Sequence, residues 1–413
     1  MKKMIKKLGF IFCFSVLISY SFLAQFNAIS YNKYPYIKQD LNHLKIYGNK
    51  TWNKFFRKLD RLYENGNENL NIYHFGGSHI QADIWSNNLR ENFQHSLPFN
   101  NAGRGFFFPF RLIKSNGSPI ITSSHSGKWK GYRNSVNYHK GPFGLLGARA
   151  ELLDSSSTIN VWYKNPRNQF NSFQEIDLFF EDSSNNYDIT LILDSTILIS
   201  SQKLEGHINY QLSKAVDSLS FSIVKKQNIE SKFSLFGFCF DNNKHGITYH
   251  SIGVNGASVP SYLRCENLEN QLELMPPDLV IFSIGINDAY ENDFSKESYT
   301  KNYDTLIQRI YSINPETAIL FTTNNDSYYH RKHPNKRVYK AKEAMVDLAK
   351  AKKLAVWDMF EIMGGLNSIQ KWYSDDLAKK DLLHLNYKGY NLIGDLLFEA
   401  FMEAYKKYTT KNG

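Results

Sequence analysis

Three residues of the chain could together perform nucleophilic chemistry, and the first of them is a serine at a sharp turn. Ser78 follows an apolar stretch, residues 71–75, and then two glycines, Gly76 and Gly77, that permit a tight passage from a strand into a helix. The free N–H groups and the dipole at a helix start favour negative charge, which suits a nucleophile whose attack creates an oxyanion. A serine that simply caps a helix is the alternative interpretation of this pattern.

The other two residues lie near the C-terminus. Asp381 and His384 are three residues apart on a predicted turn before a helix. At this spacing the carboxylate can accept a hydrogen bond from one imidazole nitrogen and leave the other nitrogen free as a base. We therefore predict Ser78 as the nucleophile, His384 as the base and Asp381 as the orienting acid. The same spacing also occurs in surface loops and at helix starts.

An ester carbonyl also needs hydrogen-bond donors for the negative charge that develops on its oxygen. The backbone N–H of Ser78, the backbone N–H of Gly256 and the side-chain amide of Asn287 are suitable donors. Each of these residues follows a predicted apolar strand. Because the carboxyl ends of parallel strands meet at one edge of a sheet, we expect these three turns to converge.

The elements around these turns alternate between strands and helices, which predicts a parallel sheet covered on both faces. Strands are predicted at 71–75, 247–252, 278–284, 318–323 and 354–357, and helices at 51–63, 299–313, 340–352 and 387–405. A further helix is expected to begin at Ser78 and to end near Phe93. Residues 120–240 instead contain short alternating strands separated by Asn, Asp, Ser and Gly turns, which indicates an inserted β-sandwich or jelly roll.

Residues 1–28 have the features of an export signal. Four lysines within the first seven residues precede the uncharged apolar segment 8–23, and Ala24 and Ala28 are possible cleavage points. We therefore predict a protein of the periplasm or cell surface. The competing interpretation is an uncleaved leader that anchors the chain to the membrane.

The mature chain would keep a mild positive charge. The full sequence carries +10, and residues 1–28 contribute four lysines and no acid, so about +6 remains (10 − 4). This charge fits an anionic polymer such as a cell-wall or surface glycan, and it fits nucleic acid less well in an exported protein. It is equally consistent with simple solubility, and the sequence leaves the oligomeric state undetermined.

Cysteine and histidine usage does not suggest a metal centre. Cys239 and Cys265 would remain after export and could pair, but two cysteines are not a disulfide framework. The sequence has no Cys/His spacing of a structural zinc site and no phosphate-binding glycine loop. We therefore predict no metal and no cofactor.

Four short motifs in order resemble those of the SGNH hydrolases, also called GDSL-type esterases. They are residues 75–79 (Phe-Gly-Gly-Ser-His), 253–256 (Gly-Val-Asn-Gly), 285–288 (Gly-Ile-Asn-Asp) and 381–384 (Asp-Leu-Leu-His). The resemblance implies a flavodoxin-like α/β/α fold with the five site residues in the roles given above. With the export signal and the strand pattern described above, it predicts a signal peptide at 1–28, a hydrolase domain at 31–110 and 244–410, and an inserted β-domain at 111–243.

One position departs from the family pattern. Gly77 stands where the family usually has Asp, so the packing of the nucleophile turn is expected to differ.

Three features together point to one branch of the family. The Gly-x-Ser-His start, the inserted β-domain and the export signal resemble the bacterial peptidoglycan O-acetylesterase branch, in which the insert resembles a carbohydrate-binding module. That resemblance implies removal of acetyl groups from an acetylated polysaccharide, most of all peptidoglycan, through an acetyl-serine intermediate.

Two other functions stay open at this point. Gly77 motivates a glycan-binding protein whose esterase domain is inert. The same triad could also serve a polysaccharide O-acetyltransferase, although a separate membrane-embedded donor protein would normally be needed. Acetyl transfer to a glycan acceptor, as opposed to release of acetate, distinguishes the transferase from the esterase.

Overall fold

The computed structural model describes residues 33–95, 101–165, 172–194 and 196–412. The predicted export signal, residues 1–28, lies outside this part of the chain. Within these ranges, no helix combines the length and the apolar character that a bilayer span requires.

Seven strands form the central sheet, and every neighbouring pair except one is parallel. The exception is the edge strand Lys45–Ile46, which runs antiparallel to its neighbour Ala355–Trp357. From that edge the strand order is Lys45–Ile46, Ala355–Trp357, Ala318–Thr322, Leu279–Ser283, Asn69–Gly76, Gly246–Gly253 and Asn101–Gly103. The strands at the centre are almost wholly buried, as expected for a parallel sheet between two helical layers.

Helices cover both faces of this sheet because its strands bury side chains on both sides. In the strand Asn69–Gly76, Leu70 and Ile72 join one apolar core, whereas Tyr73 and Phe75 join the other. The helices of the first core are Asn49–Asn65, Trp85–His95 and Tyr387–Asn412, and those of the second core include Val259–Leu263, Leu268–Leu274, Lys296–Ile313 and Lys336–Lys352. Short helices are Ser78–Gln81, Met359–Ile362 and Ser368–Ser374, and 3₁₀ turns are Gln39–Leu41, Phe110–Ile113 and Asp288–Tyr290.

A second, all-β unit is built from two antiparallel sheets. The smaller sheet has the order Tyr187–Leu191, Ser218–Lys225, Ser156–Tyr163 and Ile121–His125. The larger sheet has the order Leu198–Leu204, His207–Val216, Phe173–Asp182, Phe233–Asp241, Ala148–Leu152 and Trp129–Arg133, and Gly105–Phe107 also pairs with Phe233–Asp241. Residues of both sheets share one apolar core, which is continuous with the second core beside the parallel sheet. The predicted α/β class with an inserted all-β sandwich is confirmed.

The helix expected from Ser78 to Phe93 was predicted wrongly. The chain forms a short helix, Ser78–Gln81, and a second one, Trp85–His95. Between them Asp83 takes a left-handed conformation with φ of 49°. Because this turn points the Asp83 carboxylate into the interior, buried hydrogen bonds replace the helical continuity that the apolar spacing suggests.

The two thiols of the described chain are buried and unpaired. Cys239 lies 3.5 Å from the Met275 sulfur, and Cys265 accepts a hydrogen bond of 3.4 Å from the Asn134 amide. Burial raises the pKa of the Cys265 thiol to about 12, so it stays protonated and unreactive at neutral pH.

Candidate active site

The nucleophile turn follows the central strand Asn69–Gly76. A Cβ atom on Gly76 would lie 2.2 Å from the Ile80 side chain, so only glycine fits there. The Gly77 carbonyl accepts hydrogen bonds from the N–H groups of Ile80 (3.2 Å) and Gln81 (3.0 Å). These bonds begin the short helix at Ser78 and leave its hydroxyl at the partly exposed edge of the sheet.

The structure brings Ser78, His384 and Asp381 into one hydrogen-bonded series. Ser78 Oγ lies 2.7 Å from His384 Nε2, and His384 Nδ1 lies 2.8 Å from Asp381 Oδ2. An ionised carboxylate can only accept, so Nδ1 carries the proton and Nε2 is left to accept from the serine hydroxyl. The three side chains thus have the geometry of a nucleophile, a base and an orienting acid.

Asp381 is held as an anion by the loop around it. Its Oδ1 accepts from the backbone N–H groups of Leu383 (3.0 Å) and His384 (2.9 Å). Partial burial alone would raise the pKa of the Asp381 carboxyl, but the hydrogen bonds from the His384 ring and backbone outweigh it and hold the pKa well below its usual range. The carboxylate therefore stays available to orient the imidazole in mildly acidic solution.

Two further contacts fix the loop that carries His384. The Asn325 amide donates to the Leu383 carbonyl (2.9 Å), and the Tyr328 N–H donates to the Leu382 carbonyl (2.9 Å). Asn325 and Tyr328 follow the parallel strand Ala318–Thr322. The imidazole is therefore positioned from the same sheet edge that carries the nucleophile.

The predicted oxyanion donors lie on the turns that follow the two neighbouring strands. Gly256 is exposed and has a φ of 80°, in the region that favours glycine. The Asn287 amide donates to the Ala257 carbonyl at 2.8 Å, which ties these two turns together. The Val254 N–H reaches the Gly76 carbonyl at 3.4 Å, so the turn of Gly256 also adjoins the nucleophile turn.

Gly77, where the family usually has Asp, lies directly beside this junction. A Cβ atom there would lie 3.0 Å from the Asn287 amide nitrogen and 3.3 Å from the Ala257 carbonyl oxygen. A side chain would therefore crowd the hydrogen bond between Asn287 and Ala257. Glycine at this position leaves the contacts among Ser78, His384 and Asp381 intact.

His79 follows the nucleophile, and the sequence indicates that it packs or forms a hydrogen bond at this turn. Its ring stacks on that of His384 with centroids 5.0 Å apart, and its Nδ1 lies 2.9 Å from the Tyr390 hydroxyl. Burial, with a smaller contribution from His384, lowers the pKa of His79 to about 3, so the ring is neutral. The packing and the hydrogen bond confirm this interpretation, whereas the sequence does not reveal that the partner ring is that of His384.

Asp83 is a structurally important residue that sequence reasoning missed. It is fully buried between the guanidinium groups of Arg90 and Arg104, and it also accepts from the hydroxyls of Ser86 (2.8 Å) and Ser118 (2.6 Å). The cluster joins the helix after the nucleophile to the start of the β-domain. The local sequence does not predict that this aspartate is buried, because two of its partners, at 104 and 118, come from segments beyond the helix.

Metal ligation is not evident at this site or elsewhere in the described chain. Within the ranges that the structure covers, no group of three or more His, Cys, Asp or Glu side chains converges as metal ligands would.

The sequence comparison agrees with an ester-hydrolase interpretation of this fold for part of the chain. Residues 239–392 match the model of the GDSL-like Lipase/Acylhydrolase family, so this part of the chain is a GDSL-like acylhydrolase domain. The match confirms the predicted resemblance and the predicted enzyme class. It includes Gly256, Asn287, Asp381 and His384, whereas Ser78 lies outside the matched residues. Curated protein sequences gave no match.

Solved structures give a more extensive likeness. A peptidoglycan O-acetylesterase is similar over 88% of this chain and 99% of its own, with a TM-score of 0.71 and 20% identity. A family two carbohydrate esterase from Cellvibrio japonicus covers 69% of this chain and 99% of its own, with a TM-score of 0.26 and 10% identity. A carbohydrate esterase family 3 protein from Talaromyces cellulolyticus covers 40% of this chain and 73% of its own, with a TM-score of 0.30 and 15% identity. The first match shows that the two-domain fold is shared, and the other two are too weak to support an argument.

Proposed function

We propose that the protein is an exported serine esterase that removes O-acetyl groups from a cell-wall polysaccharide, with peptidoglycan as the first candidate. The observation that carries the proposal is the 2.7 Å contact between Ser78 Oγ and His384 Nε2, with Asp381 behind the imidazole. The substrate class is supported by the fold shared with a peptidoglycan O-acetylesterase. The basic mature chain fits an anionic glycan.

In the first half of the reaction, Ser78 Oγ attacks the acetyl carbonyl carbon and His384 Nε2 takes the hydroxyl proton. The carbonyl oxygen becomes an oxyanion, which accepts hydrogen bonds from the N–H groups of Ser78 and Gly256 and from the Asn287 amide. An amide has two N–H groups, so the bond from Asn287 to Ala257 leaves one for this purpose. The C–O bond to the sugar then breaks, and His384 returns its proton to the departing sugar hydroxyl.

In the second half, water replaces the sugar. His384 Nε2 takes one proton from the water, whose oxygen attacks the acetyl-Ser78 carbonyl carbon, and the same donors stabilise the second oxyanion. The bond to Ser78 Oγ breaks, the serine recovers a proton from His384, and acetate leaves. The products are one free sugar hydroxyl and one acetate for each ester.

The two competing functions are less well supported. The inert binding protein was motivated by Gly77, but the triad contacts are present with glycine at that position. A transferase would use the same acetyl-serine and deliver the acetyl group to a sugar hydroxyl instead of water. A substrate with ¹⁴C-labelled acetyl groups would distinguish the esterase from the transferase. The esterase releases labelled acetate, whereas the transferase labels the acceptor glycan.

Acetate release by the mature protein, with Ser78→Ala as the control variant, tests the proposal. We expect release from acetylated peptidoglycan to exceed release from acetylated xylan, and we expect p-nitrophenyl acetate to be hydrolysed as a small substrate. The Ser78→Ala variant should lose all three activities by at least about 10³-fold, because it removes the hydroxyl that contacts His384 Nε2. Equal release by Ser78→Ala would contradict the proposal, and preference for xylan would keep the chemistry but change the substrate.

The same mechanism predicts a single-proton acid limb in the pH dependence of kcat/KM. His384 must be neutral to act as a base, whereas the low pKa of Asp381 and the pKa of about 3 of His79 keep both from titrating above about pH 5. On a logarithmic plot the limb should therefore have a slope of about 1. A slope near 2 or a flat profile would show that the base is misassigned.

Asp288 provides a control for this profile. Burial raises the pKa of the Asp288 carboxyl to about 7, within the range of the measurement, although its hydrogen bond goes to the Val259 N–H and not to the triad. Asp288→Asn should keep an acid limb of the same slope. Loss of the limb in Asp288→Asn would assign it to this carboxyl.

A further inference from the structure

The turn that carries the predicted oxyanion donor Gly256 has a defined geometry. The Ala257 N–H donates to the Val254 carbonyl at 2.9 Å, so residues 254–257 form a hydrogen-bonded β-turn. Gly256, the third residue, has a φ of 80°, and Asn255, the second, is not among the residues of positive φ. Positive φ at the third position alone is the mark of a type II turn.

The orientation of the central peptide is what separates a type II turn from a type I turn. That peptide unit contains the Asn255 carbonyl and the Gly256 N–H, and it is turned by about 180° between the two types. In the other orientation the Gly256 N–H would point the opposite way, and the Asn255 carbonyl oxygen would point where the N–H points now. A carbonyl oxygen there would repel an oxyanion, so the direction of this single peptide matters for catalysis.

A side chain of the inserted β-domain binds this peptide. Ser135 follows the β-domain strand Trp129–Arg133, and its hydroxyl donates to the Asn255 carbonyl oxygen at 2.7 Å. The residues on either side of Ser135 are also held in place. One guanidinium nitrogen of Arg264 donates to the carbonyls of Asn134 (2.6 Å) and Val136 (3.0 Å). The hydroxyl is thus held in place from the hydrolase domain and reaches back to its turn.

We infer that Ser135 is a positioning residue that holds the 255–256 peptide with its N–H available to the oxyanion, an inference that rests on the proposed function. The hydrogen bond opposes reversal of the peptide because reversal would break it. It also polarises the peptide, since a carbonyl that accepts a hydrogen bond makes the N–H of the same unit a stronger donor. The inserted β-domain therefore completes the esterase site, in addition to any contact it makes with glycan.

Other contacts hold the position of the turn but not the direction of this carbonyl. The Asn255 N–H donates to Gln81 Oε1 (2.6 Å), and the Asn255 amide donates to Asn116 Oδ1 (2.6 Å). Loss of the Ser135 hydroxyl should therefore leave the turn in place and reduce only the fraction of molecules with a correctly directed N–H. Removal of a complete oxyanion donor costs about 10²- to 10³-fold in kcat, so we expect about 10- to 30-fold for this indirect effect.

The test compares Ser135→Thr with Ser135→Val in the full mature protein, because these variants have the same shape and differ in the hydroxyl. With p-nitrophenyl acetate, Thr should keep kcat within about threefold of the wild type, and Val should lose about 10- to 30-fold in kcat with KM little changed. Methylboronic acid, which binds serine hydrolases as a tetrahedral anion, should inhibit the Val variant more weakly by a similar factor. Ser220→Ala is the control, because the Ser220 hydroxyl donates to Asn160 within the β-domain. This variant should have the kcat and KM of the wild type.

The outcomes separate this inference from the proposed function. A Thr variant no faster than the Val variant would overturn the role of the Ser135 hydroxyl while leaving the esterase intact. A loss that appears in KM alone, with boronate inhibition unchanged, would overturn it as well. A wild-type protein without Ser78-dependent hydrolysis would overturn the proposed function and this inference with it.

Discussion

Replacing His384 by alanine should lower kcat for p-nitrophenyl acetate by about 10⁴- to 10⁶-fold, with little change in the melting temperature. His384 Nε2 is the group in contact with the Ser78 hydroxyl, and no proton can leave the serine during attack without it. The side chain is partly exposed, and its main partners are Ser78 and Asp381, so the fold does not depend on it. Steady-state kinetics and a thermal melt on the same preparation check both parts.

The neighbouring His79 should not rescue the His384→Ala variant. Its Nδ1 is engaged with the Tyr390 hydroxyl, and burial lowers the pKa of its ring to about 3, which makes it a weak base. His330→Ala is the matched control, because His330 lies exposed in the turn between Tyr328–Tyr329 and His333–Pro334 and should leave kcat unchanged. A loss of less than about 10-fold in His384→Ala would mean that another group is the base.

Replacing Asp83 by asparagine should lower the free energy of unfolding by about 3 to 5 kcal/mol. The substitution removes the charge that neutralises two buried guanidinium groups, those of Arg90 and Arg104. Breaking a buried ion pair by removing one partner leaves an uncompensated charge in the interior, and that charge is the main cost. Urea unfolding followed by fluorescence measures the difference.

The loss in Asp83→Asn should be nearly constant from neutral pH down to about pH 5. Burial would raise the pKa of the Asp83 carboxyl, but the charges of Arg104 and Arg90 outweigh it and hold the pKa well below its usual range. A depressed carboxyl pKa contributes stability that is fully present above the unfolded pKa of about 3.9 and is lost as the pH falls below it. A difference that already disappears at pH 6 would contradict the ion-pair assignment.

Asp188→Asn is the matched control for Asp83→Asn. Asp188 lies exposed on a β-domain strand, and its nearest cation, Lys226, is 4.0 Å away. Exposed pairs of this kind contribute little, so we expect a change in the free energy of unfolding below about 0.5 kcal/mol. A similar loss in both variants would show that amide substitution itself, and not the buried charge, is the cause.

The positions of the site residues at the ends of strands could be predicted because periodicity is a local property. Runs of apolar residues such as 279–283 indicate buried parallel strands, and glycines at their ends indicate turns. Since parallel strands share one carboxyl edge, the convergence of the turns of Ser78, Gly256 and Asn287 followed without knowledge of strand order. The structure places these turns together, whereas their catalytic roles stay a prediction until the variants are measured.

The break in the helix after Ser78 could not be predicted in the same way. Residues 78–93 have apolar spacing that fits a single helix, and the left-handed turn at Asp83 appears only because Arg104 and Ser118 reach its carboxylate from later segments. Helix propensity is a weak local preference, whereas burying Arg90 and Arg104 without the Asp83 carboxylate would cost about 3 to 5 kcal/mol. The tertiary contact therefore overrides the local pattern.

The sequence by itself determined the class of fold, the order of the four motifs and the identity of the candidate nucleophile, base and acid, because each of these follows from short-range spacing. Only the tertiary structure decided how they meet: Ser78 and His384 are 306 positions apart, and their hydroxyl and imidazole lie 2.7 Å from each other. It also decided that Ser135, 120 positions before Asn255, binds the turn of Gly256. Contacts between such distant segments depend on the packing of whole sheets, so they leave no periodic or local signal in the chain.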